Sequence, residues 1–401
     1  MRRKLHHDVC AAVVSDLLYD ARVWKEVRSL AAVGYNVRLL GCRFDVAQIS
    51  RRREGRIDVL EIPFGSRSAK KSAVRRFGAV LRLWLGILRT RARVYHAHNV
   101  HVGPPAWLSS RLRRATLIYD AHEIYGRGSN APDLRGRVLA RTGAAAERFM
   151  VRHSDVVFTT NESRANVLKE RYGVPRVEVL ANVPSRTETV VPLDPGYPAG
   201  RRILLYQGWI SPHGRAFRET VQALALLDDV DFVILGFGYE SSRDVIRGWA
   251  TDEHVQDRVH FLPPRRFDEL VQTAAAATVG LVPIKALNLN SYLGDTNKIH
   301  EYLMAGLPIA ASDLPEIRRV ANDGDPPVGE LFEPSLPRSI AAAVRRILDD
   351  PVKYQARKRE ARRLALERFN WQIEERCLLD VYEGIAPRVP MRDRLRGATS
   401  S

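Results

Sequence analysis

Residues Asn297 to Ser312 read NKIHEYLMAGLPIAAS. The spacing predicts a helix from about Asn297 to Ala305 and a buried strand at Pro308–Ala311. Asp295, Thr296 and Asn297 are residue types that start helices. Lys298 and Glu301 lie three apart and share one helix face. Free amides and the helix dipole at such a start favour a phosphate, and a lysine beside them suits a diphosphate. A carboxylate one turn deeper would repel that diphosphate. Its two oxygens suit a sugar diol instead. The pattern points to a diphosphate next to a ribose. Spacing alone does not separate this from an exposed helix carrying one internal ion pair.

Outward from this stretch, strands and helices alternate. In the first half the expected strands are Val9–Val14, Asn36–Leu40, Asp58–Ile62, Arg93–His98, Thr116–Asp120 and Asp155–Thr159. A helix is expected over Asp20–Val33. In a second helix Phe77, Leu81, Trp84, Leu85 and Leu88 fall on one face, with Arg75, Arg82 and Arg89 opposite. Val183–Arg201, rich in Pro, Thr and Gly, reads as a linker. The pattern then restarts with strand Ile203–Gln207, helix Ala216–Leu227 and strands Asp231–Leu235, Val259–Leu262 and Val279–Pro283. Such alternation predicts parallel sheets covered on both faces. The expected division is an N-terminal domain (1–184), a linker (185–201), a C-terminal domain (202–368), a C-terminal helix (369–388) and a polar tail (389–401).

The chain has 401 residues, long enough for two cores. Its 45% hydrophobic and 27% charged content is that of a globular protein. Cys10, Cys42 and Cys377 show no metal or redox spacing, which predicts buried thiols in a reducing compartment. The start MRRKLHHDVCAAVV resembles a signal peptide. Its short apolar run, flanked by Asp8 and Ser15–Asp16, fits a first strand better. AVLRLWLGIL is too short to span a bilayer and is broken by Arg82. Net charge is +17, and no acidic residue stands between Glu61 and Asp120. That stretch carries Arg67, Lys70, Lys71 and nine further arginines. Such a patch attracts anionic membranes, nucleic acid or phosphorylated substrates.

The stretch NKIHEYLMAGLPIAASDLPEI resembles the donor-site region of the retaining glycosyltransferases of family 4 (GT4, or glycosyl transferases group 1). The resemblance covers nearly the whole chain. YDARVWKEVRSLAAVGYNVRLLG, VYHAHNV, LIYDAHEIY, VLANVP, ILLYQGWI, VILGFGYE, RVHFLPP and RFNWQIEERCLLDVYEGI follow in that family's order. The resemblance implies the GT-B fold, two Rossmann-like domains facing across a cleft, with the final helix crossing back to the first domain. It implies a nucleotide-diphosphate sugar as co-substrate and a hydroxyl acceptor, a lipid-linked one included. It implies no other cofactor and no metal.

Carried over residue by residue, Glu301 matches the carboxylate that binds the nucleotide ribose. The family's other carboxylate would fall at Leu293, and Asp295 is the candidate to replace it. Its arginine after the first strand of the second domain would fall at Trp209. Its lysine has only His213 or Arg215 as replacements, and Arg215 is preferred because a guanidinium binds phosphate bidentately. Lys298, Asn297, Gly208 and Gly236 complete the expected donor site. His122 in YDAHE matches the histidine near the reacting centre, with His98 as its rival. Asp20 and Arg22 are expected to face the cleft where the family has a glycine-rich loop. Gly236-Phe-Gly238 lacks the third glycine of a dinucleotide fingerprint. Asp229/Asp231 and Asp323/Asp325 read as turn residues rather than metal ligands.

The implied reaction is front-face attack with the leaving diphosphate oxygen taking the acceptor proton. Arg215, Lys298 and the helix amides stabilise the leaving charge while His122 orients a substrate. The expected setting is cell-surface polysaccharide or glycoconjugate synthesis in the cytoplasm. The basic segment Ser68–Arg91 reads equally as a membrane-docking face and as a solvated helix. The rival readings are a UDP-sugar 2-epimerase of the same fold, a soluble natural-product glycosyltransferase and, on charge alone, a nucleic-acid binder, for which no binding motif stands in the chain.

Overall fold

The computed structural model describes residues 7–65, 73–126 and 134–386. Arg67, Lys70, Lys71 and the tail 389–401 lie outside them. The described chain forms two compact units. One holds residues 7–126, 134–181 and 374–386, and the other residues 182–373. The segment expected as a linker carries no helix or strand and belongs to the second unit.

In unit 1 the elements run β1 (His7–Asp16), α1 (Ala21–Ala32), β2 (Val37–Arg43), β3 (Ser50–Glu54), β4 (Ile57–Pro63), α2 (Ala73–Arg89), β5 (Ala92–His98), α3 (Gly103–Arg113), β6 (Thr116–Ala121), α4 (Leu134–His153), β7 (Val156–Thr159), α5 (Glu162–Tyr172) and β8 (Glu178–Val179). The strand order is β3-β4-β2-β1-β5-β6-β7-β8. Every pairing is parallel except β3 with β4. That antiparallel hairpin corrects the expectation of a wholly parallel sheet. It had no apolar alternation to announce it, because β3 is SRRRE, a charged edge strand of the kind that blocks pairing with another chain.

In unit 2 follow β9 (Arg202–Gln207), α6 (Phe217–Leu224), β10 (Val230–Leu235), α7 (Glu240–Asp252), β11 (Val259–Leu262), α8 (Leu270–Ala275), β12 (Val279–Val282), α9 (Leu289–Tyr292), α10 (Asn297–Met304), β13 (Ile309–Ser312), α11 (Pro315–Ala321), β14 (Gly329–Phe332), α12 (Pro337–Leu348) and α13 (Pro351–Glu367). The order is β11-β10-β9-β12-β13-β14, all parallel. Counted from β9 this is 3-2-1-4-5-6, the doubly wound order, whose switch point lies between β9 and β12. The last helix, α14 (Trp371–Ile385), is counted with unit 1 from Glu374 on. Its Tyr382 is fully buried there and receives the edge of the Tyr35 ring.

Two expectations about side chains change. Cys10 and Cys42 are buried thiols, but Cys377 is only half-buried. In α2 the buried face is Ala79, Leu83 and Ile87. The larger apolar residues point outward, with Val74 80% and Phe77 72% exposed and Leu81 and Leu85 exposed beside them. Periodicity located the helix and its large apolar stripe, but α2 has two apolar sides and the smaller one is buried. Gly86 lies against Leu40, where a Cβ would come within 2.6 Å.

Glu147 of α4 is buried, accepting from the Tyr125 amide at 3.1 Å and the Tyr172 hydroxyl at 2.7 Å. Burial pushes its carboxyl up to about 7 against those hydrogen bonds and Arg171. The folded state thus binds this proton more tightly than the unfolded one. The stabilisation is full below the unfolded value of 4.5 and is lost as pH rises through about 7. We predict that between those pH values the wild type loses about 3 kcal/mol of unfolding free energy relative to Glu147→Gln. Urea denaturation of both proteins across that range checks it, and parallel stability curves would refute the assignment.

Candidate active site

At the C-terminal end of β9 the chain reads Tyr206-Gln207-Gly208-Trp209. Gly208 has φ 137° and Gly236, at the end of β10, has φ 154°. A Cβ on Gly236 would come within 1.9 Å of the Gly208 carbonyl oxygen, so the two strand ends meet only because Gly236 has no side chain. Lys298 packs beside Gly208. Its Cε lies 3.5 Å and its Nζ 3.7 Å from where a Gly208 Cβ would be.

Lys298 is 9% exposed. Its Nζ lies 3.4 Å from Thr296 Oγ1 and 5.3 Å from the centre of the Tyr206 ring, and among the described residues no carboxylate ion-pairs with it. Burial, and then the nearby charge of Arg215, lower its pKa to about 7, while Glu301 opposes them. Arg215 is held by its own neighbours. Its Nε donates to the Tyr206 hydroxyl at 3.2 Å and its Nη1 to the Gly214 carbonyl at 2.8 Å. The backbone of Arg215 bridges to Ile284, just past β12, so it sits at the switch point. Helix α10 opens with Thr296 at its N-cap, and no side chain caps it. Asn297 stands in its first turn with Lys298. Two cations and an uncapped helix start therefore gather at one end of the sheet, an arrangement that binds a diphosphate.

Glu301 sits one turn further along α10 and accepts from Gln207 Nε2 at 2.5 Å. The segment is therefore no exposed helix with an internal ion pair. Gln207 presents Glu301 from the strand end and leaves its own Oε1 without a hydrogen-bond partner. Asp295 turns to His300 Nε2 at 3.3 Å, and Leu293 is buried. Asp229 pairs with Arg202 and Arg345, and Asp231 with Arg201 and His260, at the opposite end of the strands. Asp323 pairs with Arg368.

In unit 1 the C-terminal strand ends hold a second group. Asp20 caps α1 and does not stand apart, since Ser15 Oγ bonds to its carboxylate. Arg22 is buried, which corrects the expectation that it faces a cleft. Its Nε and Nη2 donate to Asp120 at 2.8 and 2.9 Å, and its Nη1 to the Leu180 carbonyl at 2.6 Å. His98 is fully buried behind this pair with Nδ1 3.1 Å from Asp120 Oδ2. His122 alone of the three histidines on β5 and β6 keeps some exposure, at 20%, and its Nε2 lies 2.9 Å from the same oxygen. Burial alone would raise the Asp120 carboxyl. The Arg22 guanidinium and His122 hold it well below the usual range.

Tyr206, Gln207 and Asp120 were missed as site residues. Each is the last or next-to-last residue of a parallel strand, the position from which α/β sheets build sites. Trp209 was noted only as a departure from a pattern. It stands exposed with its ring edge-on to Tyr239 at 5.8 Å.

Two family descriptions match the chain: Glycosyl transferase 4-like domain over residues 19–183, and Glycosyl transferases group 1 over residues 201–350. The glycogen synthase of Mycobacterium tuberculosis is 25% identical over 301 residues, 73% of this chain and 69% of that protein. The sucrose-phosphate synthase of Thermosynechococcus elongatus has a similar structure, with TM-score 0.75 at 15% identity over 94% of this chain and 98% of that one. Anabaena HepE, solved in complex with UDP-glucose, gives 0.66 at 14% over 94% and 100%. At such identities the structural likeness is one of fold.

With its pKa near 7, Lys298 is about half charged at neutral pH, and an anion beside it restores the full charge. We predict that inorganic pyrophosphate binding takes up part of a proton at pH 7. Its affinity should fall about tenfold per unit as pH rises above 7. Calorimetry in two buffers of different ionisation heat measures the uptake, and Lys298→Met should abolish it. No proton uptake by the wild type would remove Lys298 from the anion site.

Proposed function

The chain belongs to the group 1 glycosyltransferases, and from that premise we propose that it transfers a sugar, retaining configuration and using no metal, from a nucleoside-diphosphate donor to a hydroxyl acceptor. The observation that carries this reading is the buried Lys298 beside Arg215 at the start of α10, with Glu301 one turn away. The first two neutralise the diphosphate and the third takes the ribose hydroxyls. The fold likeness to HepE, which was solved with UDP-glucose, supports UDP-sugar as the donor class.

Retention is what the family membership implies, and unit 2 supports the front-face route to it. Glu301, the carboxylate acting on Lys298, is bonded to Gln207 and serves the ribose rather than attacking the sugar. The acceptor oxygen therefore attacks the anomeric carbon from the face that the diphosphate leaves. The bond to the diphosphate oxygen breaks, the new glycosidic bond forms, and the acceptor proton passes to the leaving oxygen. Lys298, Arg215 and the α10 amides stabilise that oxygen, which is the task a divalent cation performs elsewhere. Asn297, in the first turn of α10, and Gly208 and Gly236 let the donor approach backbone, and His122 orients a substrate hydroxyl from unit 1.

The exposed apolar strip of α2, flanked by Arg75, Arg82 and Arg89, supports docking on an anionic membrane face, where a lipid-linked acceptor for polysaccharide or glycoconjugate synthesis resides. A hollow of about 510 Å³ beside it is lined by Arg38, Arg51, Arg82, Arg89, Leu60 and Leu85. No described helix is long and apolar enough to cross a membrane.

Replacing Glu301 by Ala should weaken UDP binding roughly 10- to 100-fold through the lost ribose hydrogen bonds, as read by calorimetry. Unchanged affinity would sink the ribose assignment, and a strict Mg²⁺ requirement for transfer would refute the metal-free mechanism. Separately, liposomes with anionic lipid should sediment the protein at low salt and release it at high salt. Phe77→Glu together with Leu81→Glu should abolish sedimentation without altering UDP affinity.

A further inference from the structure

Behind His122 lies a polar group that the transfer reaction does not account for. Glu26, His96, His98 and Asp120 are all buried, and they bring one ligand atom each within 4.8 Å of one another. Neither oxygen of Glu26 has a hydrogen-bond partner, and neither has Nε2 of His96 or of His98. Glu26 Oε2 lies 3.7 Å from the first of these nitrogens and 3.9 Å from the second. Glu26 Oε1 turns to Arg22, so three unsatisfied buried atoms, Glu26 Oε2 and the two Nε2, face each other and call for something between them.

The choice is between a metal ion and a proton. The histidine rings stack face to face, with centres 4.3 Å apart and planes 19° from parallel. An ion bound to both Nε2 atoms would lie well out of each ring plane, away from both lone pairs. Arg22 Nε stands 3.1 Å from Glu26 Oε1 and already supplies a cation to both carboxylates. A second, divalent cation would be repelled.

The polarity of the set points to one proton. The Tyr382 hydroxyl, 2.9 Å from His96 Nδ1, donates to it, so His96 carries its hydrogen on Nε2, which faces Glu26 Oε2 at 3.7 Å. Asp120 is ionised against Arg22 and can only accept. His98 therefore donates from Nδ1 and leaves its Nε2 bare, facing Glu26 Oε2 at 3.9 Å. Both separations are longer than a hydrogen bond. Burial raises the Glu26 carboxyl well above its ordinary value, and burial lowers both buried histidines. His122 Nε2 lies 2.9 Å from Asp120 Oδ2 and 3.4 Å from His98 Nδ1; the carboxylate is the nearer partner and can only accept, so the hydrogen is on Nε2. The backbone of His122 is pinned as well, since its amide donates to Asn99 Oδ1 at 3.3 Å and its carbonyl accepts from Arg164 Nη1 at 2.5 Å. Its Nδ1 has no hydrogen-bond partner among the described residues.

We propose that Asp120 is the positioning residue for His122, holding its Nε2–H so that a bare Nδ1 is presented as a hydrogen-bond acceptor for a substrate hydroxyl, and that Glu26 carries one buried proton in place of a metal ion beside it. The substrate half of this statement rests on the transferase reading. The tautomer and the proton do not. With Glu26 carrying the proton, the buried group holds one positive charge on Arg22 and one negative charge on Asp120, and is neutral.

Two-bond proton–nitrogen correlation spectra of the full chain, labelled at histidine, test it without donor or acceptor. His122→Gln identifies the His122 signals among the 11 histidines. At pH 7.5 we expect a protonated Nε2 and a pyridine-type Nδ1 for His122. In Asp120→Asn that pattern should be lost, because an amide can donate to Nε2. Zinc added to the wild type should leave the His96 and His98 signals in place. A wild-type His122 with hydrogen on Nδ1 overturns the proposal, whether or not the Asn variant folds. Stoichiometric zinc in the purified protein, or zinc-induced shifts at His96 and His98, overturns the proton on Glu26. A chain with these spectra but no transferase activity would refute the function and leave the tautomer intact.

Discussion

Lys298 is enclosed by the Tyr206 ring, the backbone of Gly208 and the charge of Arg215; no carboxylate ion-pairs with it among the described residues, and Glu301 offsets only part of the shift. A drop in pKa from 10.5 to about 7 corresponds to about 5 kcal/mol of disfavour for the charged form. Unit 2 carries that disfavour only if something else holds the lysine in place, and the fold supplies it. The rest of α10 is buried against the sheet through Ile299, Tyr302, Leu303 and Met304. Tyr302 ties its hydroxyl to the backbone of β9 through the Leu205 carbonyl and the Gln207 amide. The core thus fixes an ammonium where water would otherwise claim it, and a diphosphate is the counter-ion that relieves the mismatch.

The two units place polar groups at the same end of the same kind of sheet, with opposite electrostatics. In unit 1 the strand ends of β5 and β6 carry His98 and Asp120, and Arg22 reaches them from α1. Positive and negative charges there are matched and shut away, and only the His122 ring reaches the surface. In unit 2 the strand end is a surplus of positive charge with an uncapped helix start beside it. A matched site orients a neutral hydroxyl without attracting ions. A surplus site holds an anion. That difference arises from a few residues per unit, because the doubly wound topology does the positioning in both.

Much of this was legible in the sequence. Alternating apolar runs gave eleven of the strands within a few residues, since a buried parallel strand must be apolar on both faces. Asn297–Ser312 announced both cation and carboxylate by spacing. What stayed hidden had physical reasons. β3 is all charge, and a charged edge strand carries no hydrophobic signal. In α2 the larger apolar side faces out, and the smaller residues Ala79, Leu83 and Ile87, which carry the weaker signal, do the packing. Arg22 looked like a surface residue after a strand, because its partner Asp120 lies 98 positions away. Gln207 and Tyr206 read as strand filler, since nothing local tells that a strand's last residues are aimed at a ligand.

Leu293 shows how far a motif constrains chemistry. It occupies the position where the family pattern has a carboxylate, and it is buried as part of the turn after α9. An apolar side chain there cannot accept from a sugar hydroxyl, and Asp295 two residues on is engaged with His300 of the following helix. Recruiting Asp295 to a sugar would leave the buried His300 with neither ring nitrogen bonded, since its Nδ1 already lacks a partner. An unpaired buried polar atom costs about 1–3 kcal/mol, comparable to what one sugar hydrogen bond returns. The proposed phosphate contact does not incur that penalty, because Lys298 has no ion-pair partner to give up among the described residues. On that reading unit 2 holds the nucleotide end of a donor and reads its sugar by something other than this carboxylate.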